Sequence, residues 1–318
     1  MGDALVDVIA TCDDHFLTSF DLAKGAMQLL EPAAALALYD AMGSARETSG
    51  GSAANSMAGA AAMGADVAFV GQVAADQLGA IFTHDMRALG VRFDTPPLDD
   101  GPPTGRCLIL VTPDGERTMN TCPGAAHCLA PEAVDEAAVR AAAILYLEGY
   151  LFGPELPRQA MFKAIEIAHA AGRTVAFTLS ESVCLPGRRE PLQQLIAGGG
   201  IDLIFANESE ALQLAAAPDL DTAIERLSGQ VRTLVFTRGS AGALAVEDGA
   251  RTEVPAIPVA QVLDTTGAGD LFAAGFLAAR CKGYGVERQL ITGGIAAAEV
   301  ISHFGARPVA DLAELVRL

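Results

Sequence analysis

One short segment, Asp264-Thr265-Thr266-Gly267-Ala268-Gly269-Asp270, combines the residue types that phosphoryl-transfer chemistry needs. Gly267, Ala268 and Gly269 are small, so their backbone N–H groups can converge on one anion, and the apolar segment that follows predicts a buried helix whose positive end faces the same point. Asp270 lies at the edge of this anion pocket, where its negative charge would repel a phosphate. A carboxylate at such a position suggests a chemical role, such as accepting the proton of an attacking hydroxyl. The alternative is that Asp270 only caps the helix.

A second group of candidates lies near the start of the chain. Asp7 stands among the apolar residues of a short strand, where a carboxylate costs desolvation free energy unless it binds a ligand or lies at the strand end. Gly50 and Gly51 allow a close approach of the backbone, and Ser52 can cap the helix of small residues that follows and contains Asn55. The plainer interpretation of this second segment is a tight turn from a strand to a helix.

A third group follows later apolar segments. Asn207 and Glu210 have the spacing of a capping box at a helix start, and an amide and a carboxylate there could also orient the water shell of Mg²⁺. Thr237 and Gly239 predict a strand end and a glycine turn, which is either a plain hairpin or a place where N–H groups meet phosphates. Arg117 is either a solvated arginine on a hairpin or a cation that closes on the transferred phosphate.

The elements that must position these residues alternate along most of the chain. Apolar segments at 143–147, 173–178, 202–206 and 233–237 predict strands, and helical stretches such as residues 158–171 separate them. This order predicts a parallel sheet covered on both faces, with ligands bound beyond the carboxyl ends of the strands.

Two segments interrupt this alternation. Residues 11–45 contain short pieces and a helix predicted from Pro32 to Met42, and residues 93–124 contain proline-rich turns and a strand predicted from Cys107 to Thr112. We expect the two segments to pair as a small sheet that covers the site. The α/β core then consists of residues 1–10, 46–92 and 125–318.

Composition excludes several classes of partner. The 318-residue chain is 51% hydrophobic, so it can bury a large core, and its net charge of −18 argues against nucleic acid and anionic membranes as partners. Six cysteines without a CxxC pair, and no signal peptide before the first strand, predict reduced thiols in the cytoplasm. The spacing of Cys122, His127 and Cys128 matches no zinc site.

The motifs resemble those of the PfkB/ribokinase family of small-molecule kinases. Residues 264–270 are similar to the family's C-terminal signature, and residues 49–64 with 68–79 are similar to its N-terminal signature. Within the family, the Gly-Gly-Ser of residues 50–52, followed by Asn55 and Ser56, resembles the adenosine kinase branch. The resemblance covers nearly the whole chain.

This resemblance implies a ribokinase-like three-layer α/β fold with a mostly parallel central sheet and a small β-sheet lid. It also implies an ATP-dependent kinase that phosphorylates the 5′-hydroxyl of a nucleoside, adenosine foremost, with a sugar kinase as the alternative. In family terms Asp270 is the catalytic base and Gly267, Ala268 and Gly269 form the anion hole. The implied binding residues fall into a substrate group (Asp7, Gly50, Gly51, Asn55 and Arg117), an ATP group (Asn207, Glu210, Thr237, Gly239 and Thr266) and a Mg²⁺ pair that acts through water (Asn207 and Glu210).

Three further expectations concern ions, partners and the nucleobase. Many family members bind K⁺ through a serine near the C-terminus, where this chain has Val309, which argues against a need for K⁺. The predicted partners are ATP and the small-molecule substrate, and the chain is expected to be a monomer or a homodimer formed through the lid. These residues could line an apolar slot for the base, although each of them could equally belong to the core: Met27 to Leu30, Cys107, Leu108, Tyr150 and Phe152.

Overall fold

The computed structural model describes residues 1–180 and 187–317, so Cys184 lies outside the described residues. The strands are β1 (Leu5–Thr11), β2 (Met27–Leu29), β3 (Arg46–Gly50), β4 (Val67–Phe69), β5 (Val91–Phe93), β6 (Gly105–Val111), β7 (Arg117–Cys122), β8 (Ile144–Glu148), β9 (Thr174–Thr178), β10 (Leu203–Asn207), β11 (Thr233–Thr237), β12 (Ala243–Glu247) and β13 (Ala250–Val254). The α-helices are α1 (Asp14–Ser19), α2 (Pro32–Ala41), α3 (Ser52–Ala62), α4 (Gln77–Ala88), α5 (Glu136–Ala141), α6 (Glu155–Ala170), α7 (Arg189–Ala197), α8 (Glu208–Ala215), α9 (Leu220–Ser228), α10 (Ala268–Cys281), α11 (Val286–Val300) and α12 (Leu312–Val316).

The central sheet has six strands in the order β13-β12-β11-β10-β9-β8. Strands β8 to β11 are parallel, and β12 and β13 extend the sheet in the antiparallel sense. The four predicted core strands are therefore confirmed, as is the mostly parallel sheet. Register aligns the ends of these strands, because Glu148 lies opposite Thr178 and Asn207 lies opposite Thr237.

Side chains alternate between two hydrophobic cores on the two faces of this sheet. Leu145 and Leu147 of β8 pack into the core formed with helices α5 to α9, whereas Tyr146 between them packs into the core formed with α3, α4 and α10. This period of two is what a strand buried on both faces produces. The helices thus form the outer layers, as expected for a three-layer fold.

A second sheet has five strands in the order β2-β7-β6-β1-β3. Strand β2, from the first interrupting segment, pairs in parallel with β7, from the second, so the predicted pairing of the two segments is confirmed. The helix predicted from Pro32 is also present and ends at Ala41. Strands β1 and β3 belong to this same sheet, and we call all five strands the lid sheet. The exact division of the chain into core and lid segments stays a prediction.

No helix formed by residues 1–180 or 187–317 has the length and apolar character needed to cross a membrane.

Glycines line the contact between helices α10 and α11 and allow their backbones to approach each other. A β-carbon on Gly275 would lie 2.6 Å from the carbonyl oxygen of Thr292, and one on Gly293 would lie 2.7 Å from that of Phe272. Both distances are too short for non-bonded atoms, so only glycine fits at either position. This contact sets the direction of α10, whose first turn carries Asp270.

We predict that Gly275→Ala lowers the free energy of unfolding by about 1–3 kcal/mol, because the strain of overpacking outweighs the better helix propensity of alanine. Gly294→Ala is the matched control, since the nearest atoms to its β-carbon belong to the Ile257 side chain, 3.1 Å away. Urea unfolding of both variants measures the difference. Unchanged stability of Gly275→Ala would contradict the close backbone contact.

Candidate active site

The carboxylate of Asp270 is fixed between two helices. It lies in the first turn of α10 and accepts hydrogen bonds from Ser52 Oγ (2.6 Å) and Asn55 Nδ2 (2.9 Å), both of α3. The residue at the N-cap of α10 is Gly267, which has φ of 78°. Asp270 therefore does not cap its helix, and the alternative that it serves only as a helix cap is wrong. Ser52 does not cap α3 either, since Gly51 holds that position.

The surroundings of Asp270 change its affinity for a proton. Burial raises the pKa of its carboxyl above the ordinary value, and the two hydrogen bonds together with the nearby charge of Arg307 oppose that rise. The net shift is upward. A carboxylate with a raised pKa holds a proton more strongly than a surface aspartate does, which suits a group that accepts the proton of a hydroxyl.

The predicted anion pocket lies directly before Asp270. A helix leaves the N–H groups of its first turn without helical acceptors, although the N–H of Ala268 donates to the Thr265 carbonyl oxygen at 3.2 Å. The pocket therefore depends on Gly267 and Gly269. A β-carbon on Gly267 would lie 2.7 Å from that of Ala306, whereas one on Gly269 would meet no atom within 4 Å. The space over Gly269 is thus open to a ligand.

Asp7 and the two-glycine turn form the neighbouring part of the site. A β-carbon on Gly50 would lie 2.5 Å from the Asp7 carboxylate, and Gly51 has φ of 98°, which a residue with a side chain rarely adopts. Burial raises the pKa of Asp7 to about 6, with Arg307 and Arg117 opposing the rise. In the described part of the chain, the Asn55 side-chain oxygen is buried and has no hydrogen-bond partner. A ligand hydroxyl could satisfy it.

The face of the lid sheet that carries Asp7 also carries an apolar row. Residues directly opposite one another in neighbouring strands project to the same face, and so do residues two apart in one strand. The row begins two residues after Asp7 in β1 and continues through the directly opposite residues of β6, β7 and β2. We call it the apolar lid row: Ile9, Ile109, Met119 and Met27. Met27 is 43% exposed, so the row is accessible at this edge of the sheet.

This register corrects the predicted lining of the base slot. Cys107 lies opposite Asp7 and shares its face, whereas Leu108 projects to the other face and is buried in the core. Phe152 is also a core residue, in edge contact with Phe162 and Phe177. The prediction that Leu108 and Phe152 line the base slot is therefore wrong, because both side chains belong to the hydrophobic cores. Periodicity within one strand does not reveal which face meets the ligand.

Arg117 connects the lid sheet to the loop that precedes the anion pocket. Its guanidinium forms a buried ion pair with Asp264 and lies 3.5 Å from Thr266 Oγ1, with Phe304 beneath it at 5.9 Å from the ring centroid. Asp264 also accepts hydrogen bonds from the N–H groups of Thr266 (3.0 Å) and Gly305 (2.9 Å). Burial raises the pKa of Asp264, but these donors and Arg117 outweigh it and the net shift is downward. The expectation of a solvated Arg117 is wrong.

Glu148 lies beneath the site rather than in it. Its side chain is fully buried at the end of β8 and accepts hydrogen bonds from the N–H groups of Ala53 (2.6 Å) and Asp3 (3.3 Å). Burial, together with the charge of Asp3, raises the pKa of Glu148 well above its ordinary value. Glu148 thereby anchors the first turn of α3, which supplies Ser52 and Asn55.

Four of the five predicted ATP residues lie at the ends of the adjacent strands β10 and β11, and the fifth, Thr266, lies before α10 and donates its hydroxyl to Asp264 (2.6 Å). Asn207 and Glu210 form a complete capping box, with the N–H of Glu210 donating to Asn207 Oδ1 (2.9 Å) and the N–H of Asn207 donating to Glu210 Oε2 (2.8 Å). Thr237 ends β11, and Gly239 opens the turn to β12 with φ of 55°. Ser180 extends the Asp270 network to the end of β9, because its hydroxyl lies 3.3 Å from that of Ser52 and 3.3 Å from that of Thr178.

Three residues of the site were not assigned chemical roles from the sequence: Ser52, Asp264 and Arg307. Ser52 and Asn55 are three residues apart at the start of a helix, a spacing that places both on one face and could have indicated Ser52. Asp264 stands inside the recognised motif. Arg307 gave no local signal, because its partners are more than two hundred residues away in the sequence.

Comparison with known proteins agrees with the resemblance seen in the sequence. The model of the pfkB family of carbohydrate kinases matches residues 20–312. The crystal structure of adenosine kinase from Sinorhizobium meliloti superposes with a TM-score of 0.91 at 46% sequence identity, covering 99% of this chain and 97% of that one. This similarity confirms the expected fold.

Two further proteins are also similar to this chain. The structure of a probable sugar kinase from Rhizobium etli has a TM-score of 0.91 and 43% identity, over 99% of this chain and 96% of that one. Adenosine kinase 2 of Arabidopsis thaliana is 28% identical over 96% of this chain and 93% of its own length.

We predict that Asp264→Asn lowers the free energy of unfolding by about 2–4 kcal/mol, because it leaves the largely buried Arg117 without a counter-charge. Arg117→Met should cost less, since Asp264 keeps its donors in Thr266 and Gly305. Urea unfolding measures both losses.

The control for these variants is Arg251→Met, which breaks an exposed ion pair with Asp221 and should cost under about 1 kcal/mol. Losses at Asp264 and Arg117 as small as that of the control would show that the lid contact contributes nothing to stability.

Proposed function

Because this chain belongs to the pfkB family of carbohydrate kinases, we propose that it transfers the γ-phosphate of ATP to the 5′-hydroxyl of a nucleoside, with adenosine as the preferred substrate. The observation that carries the choice of a nucleoside is the apolar lid row beside Asp7. A nucleobase attached to a ribose needs an apolar surface beyond the sugar, and this row supplies one. The adenosine kinase from Sinorhizobium meliloti supports the same choice.

The sugar-binding part of the proposal rests on Asp7 and Asn55. The Asp7 carboxylate accepts hydrogen bonds from the vicinal hydroxyls of the ribose, and Gly50 leaves the space that this carboxylate occupies. The buried Asn55 oxygen, which lacks a partner in the described part of the chain, accepts a further one. A free sugar would present more hydroxyls, and the apolar lid row offers them no partners.

The chemical step relies on Asp270. Its carboxylate takes the proton of the substrate hydroxyl as that oxygen attacks the phosphoryl group, while Ser52 and Asn55 keep it oriented. The N–H groups of Gly267 and Gly269 and the positive end of α10 stabilise the charge that develops on the transferred group. Arg117 and Thr266 lie on the lid side of the same pocket.

Asn207 and Glu210 are proposed to hold Mg²⁺ through water, with Thr237 and Gly239 bordering ATP. One amide and one carboxylate suit an ion that keeps most of its waters, and the described residues contain no cluster of three potential metal ligands that would replace those waters. Bound Mg²⁺ neutralises charge on the phosphates. The capping box and this role use the same two side chains, so they must share their lone pairs between the helix and the hydrated ion.

A sugar kinase remains the second candidate, favoured by the similarity of this chain to the probable sugar kinase from Rhizobium etli. A coupled assay of ADP release with adenosine, 2′-deoxyadenosine, ribose and fructose separates the two. We expect adenosine to have the highest kcat/KM and 2′-deoxyadenosine to be poorer, because Asp7 loses a hydroxyl partner. Far more efficient turnover of ribose or fructose would replace our proposal with the sugar kinase.

Variants of the lid sharpen this test. Met27→Ala should raise KM for adenosine by about 5- to 50-fold and leave KM for ribose unchanged, because only the base contacts the apolar lid row. Leu36→Ala is the matched control, an exposed apolar residue on α2 outside that row. Equal effects of Met27→Ala on the KM values of both substrates would show that the nucleobase does not contact the apolar lid row.

We predict that Asp270→Asn lowers kcat by ~10²–10⁴-fold with little change in KM, since the base acts mainly in the transition state. Stopped assays under saturating substrate measure kcat, and thermal unfolding checks that the variant is folded. In the wild-type enzyme kcat should fall on the acid side as Asp270 takes up a proton, beginning at a higher pH than for an ordinary aspartate because burial raises its pKa. Near-normal turnover by the variant would exclude Asp270 as the base.

A further inference from the structure

Arg307 lies in the loop after α11 and reaches across to the two-glycine turn. Its Nη1 donates to the carbonyl oxygen of Ala54 (2.7 Å), and its Nη2 donates to both the carbonyl oxygen (3.0 Å) and the hydroxyl (3.1 Å) of Ser49. Ser49 lies immediately before Gly50-Gly51, and Ala54 lies in the first turn of α3. One guanidinium therefore clamps the turn from both sides.

This turn supplies partners to both carboxylates of the site. Gly50 packs against the carboxylate of Asp7. Ser52 and Asn55 follow directly and hold Asp270. Movement of the turn would therefore displace the sugar-binding carboxylate and the base together.

The loop that carries Arg307 also touches the anion pocket. A β-carbon on Gly267 would lie 2.9 Å from the Cα of Ala306, the residue directly before Arg307. The neighbouring Gly305 donates its N–H to Asp264. The three-residue stretch 305–307 thus contacts both the anion pocket and the two-glycine turn.

The charge of Arg307 lies among three acidic groups from three elements: Asp7 of β1, Asp85 of α4 and Asp270 of α10. Asp85 in turn accepts the N–H of Ser49 at 2.9 Å. Burial lowers the pKa of Arg307 to about 10, so the guanidinium stays charged at neutral pH. Arg307 opposes the rise in the pKa of both Asp7 and Asp270. The other titratable or charged groups around these two carboxylates are Arg117 and Cys107, near Asp7, and Glu148 and Tyr146, near Asp270.

We propose that Arg307 is a positioning residue, which clamps the two-glycine turn and supplies the positive charge that allows Asp7 and Asp270 to be ionised side by side. The proposal deepens the proposed function and rests on it for its kinetic readout. A chain with a net charge of −18 has few cations to place here. A neutral side chain at position 307 would leave two nearby carboxylates to repel each other.

The test compares two variants. Arg307→Gln loses the positive charge, whereas Arg307→Lys keeps the charge but loses the two separate nitrogens that bind Ala54 and Ser49. We expect the acid limb of the kcat profile to move up by roughly half to one pH unit in Arg307→Gln, because Asp270 then binds its proton more readily. Arg307→Lys should keep the midpoint and show at least about a threefold higher KM, since one ammonium cannot bridge Ser49 and Ala54. Kinetics from pH 5 to 9 with the best substrate of the panel measure both.

The matched control is Arg226→Met. Arg226 also donates to two backbone carbonyls, those of Ala215 (3.0 Å) and Ala216 (2.6 Å), at the end of α8. Its loss should leave the midpoint of the pH profile unchanged. A uniform loss of kcat at all pH values in Arg307→Gln, with no shift, would reduce Arg307 to a purely structural residue and overturn the proposal.

A titration of the Asp270 carboxyl by ¹³C NMR gives a second readout that needs no substrate. The Asp270 resonance is assigned by its absence from Asp270→Asn, and its midpoint should rise in Arg307→Gln. An unchanged midpoint overturns the proposal whatever the enzyme phosphorylates. If Arg307→Gln does not fold, unchanged KM and kcat in Arg307→Lys overturn it. A wild-type enzyme that phosphorylates no nucleoside would instead contradict the proposed function.

Discussion

The site depends on one arrangement: the carboxylate of Asp270, on α10, hydrogen-bonded to two side chains of α3. Because Ser52 and Asn55 are the donors, the position of this carboxylate, the base in our proposal, depends on how α3 and α10 pack. That packing depends in turn on small residues further along both helices. A β-carbon on Gly59 of α3 would lie 2.5 Å from Leu271 of α10, and Gly275 allows α11 to approach α10 from the other side. The small residues of these helices therefore control the position of the Asp270 carboxylate.

The acidity of the chain makes its few buried cations important. With 39 acidic and 21 basic residues, the protein has no general positive field to attract a phosphate. The site instead places single arginines next to single acids. Arg307 lies among Asp7, Asp85 and Asp270, and Arg117 pairs with Asp264. Local pairing of this kind is screened little by salt because the groups are partly or fully buried.

In our proposal, the two sheets have separate roles in ligand recognition. The central sheet presents polar residues at the ends of its parallel strands, where α/β folds bind ligands. The lid sheet presents Asp7 and the apolar lid row on one face, so the same surface can accept both a sugar and a base. Strand β1 belongs to the lid sheet, and its Asp7 carboxylate packs on the two-glycine turn that orients Asp270. Arg117 makes a second contact, to the loop before the anion pocket.

The sequence by itself determined the features that arise from neighbours along the chain. The parallel strands, the glycine turn at Gly267 and Gly269, and the capping box of Asn207 and Glu210 all follow from residues within about one helical turn or one strand of each other, whose geometry is fixed by local backbone structure. Asp7, Asn55 and Asp270 could also be identified as candidate site residues, because their motifs resemble those of a known family.

Only the tertiary structure decided which distant residues meet. Ser52 and Asp270 are 218 residues apart in the sequence, and Arg307 and Ala54 are 253 apart. No local pattern predicts such a contact, since it depends on the packing of whole helices and loops. The assignment of Leu108 to the site failed for the same reason. Alternation along β6 separates two faces, but only the packing of the lid sheet decides that Leu108 lies in the core and Cys107 lies beside Asp7.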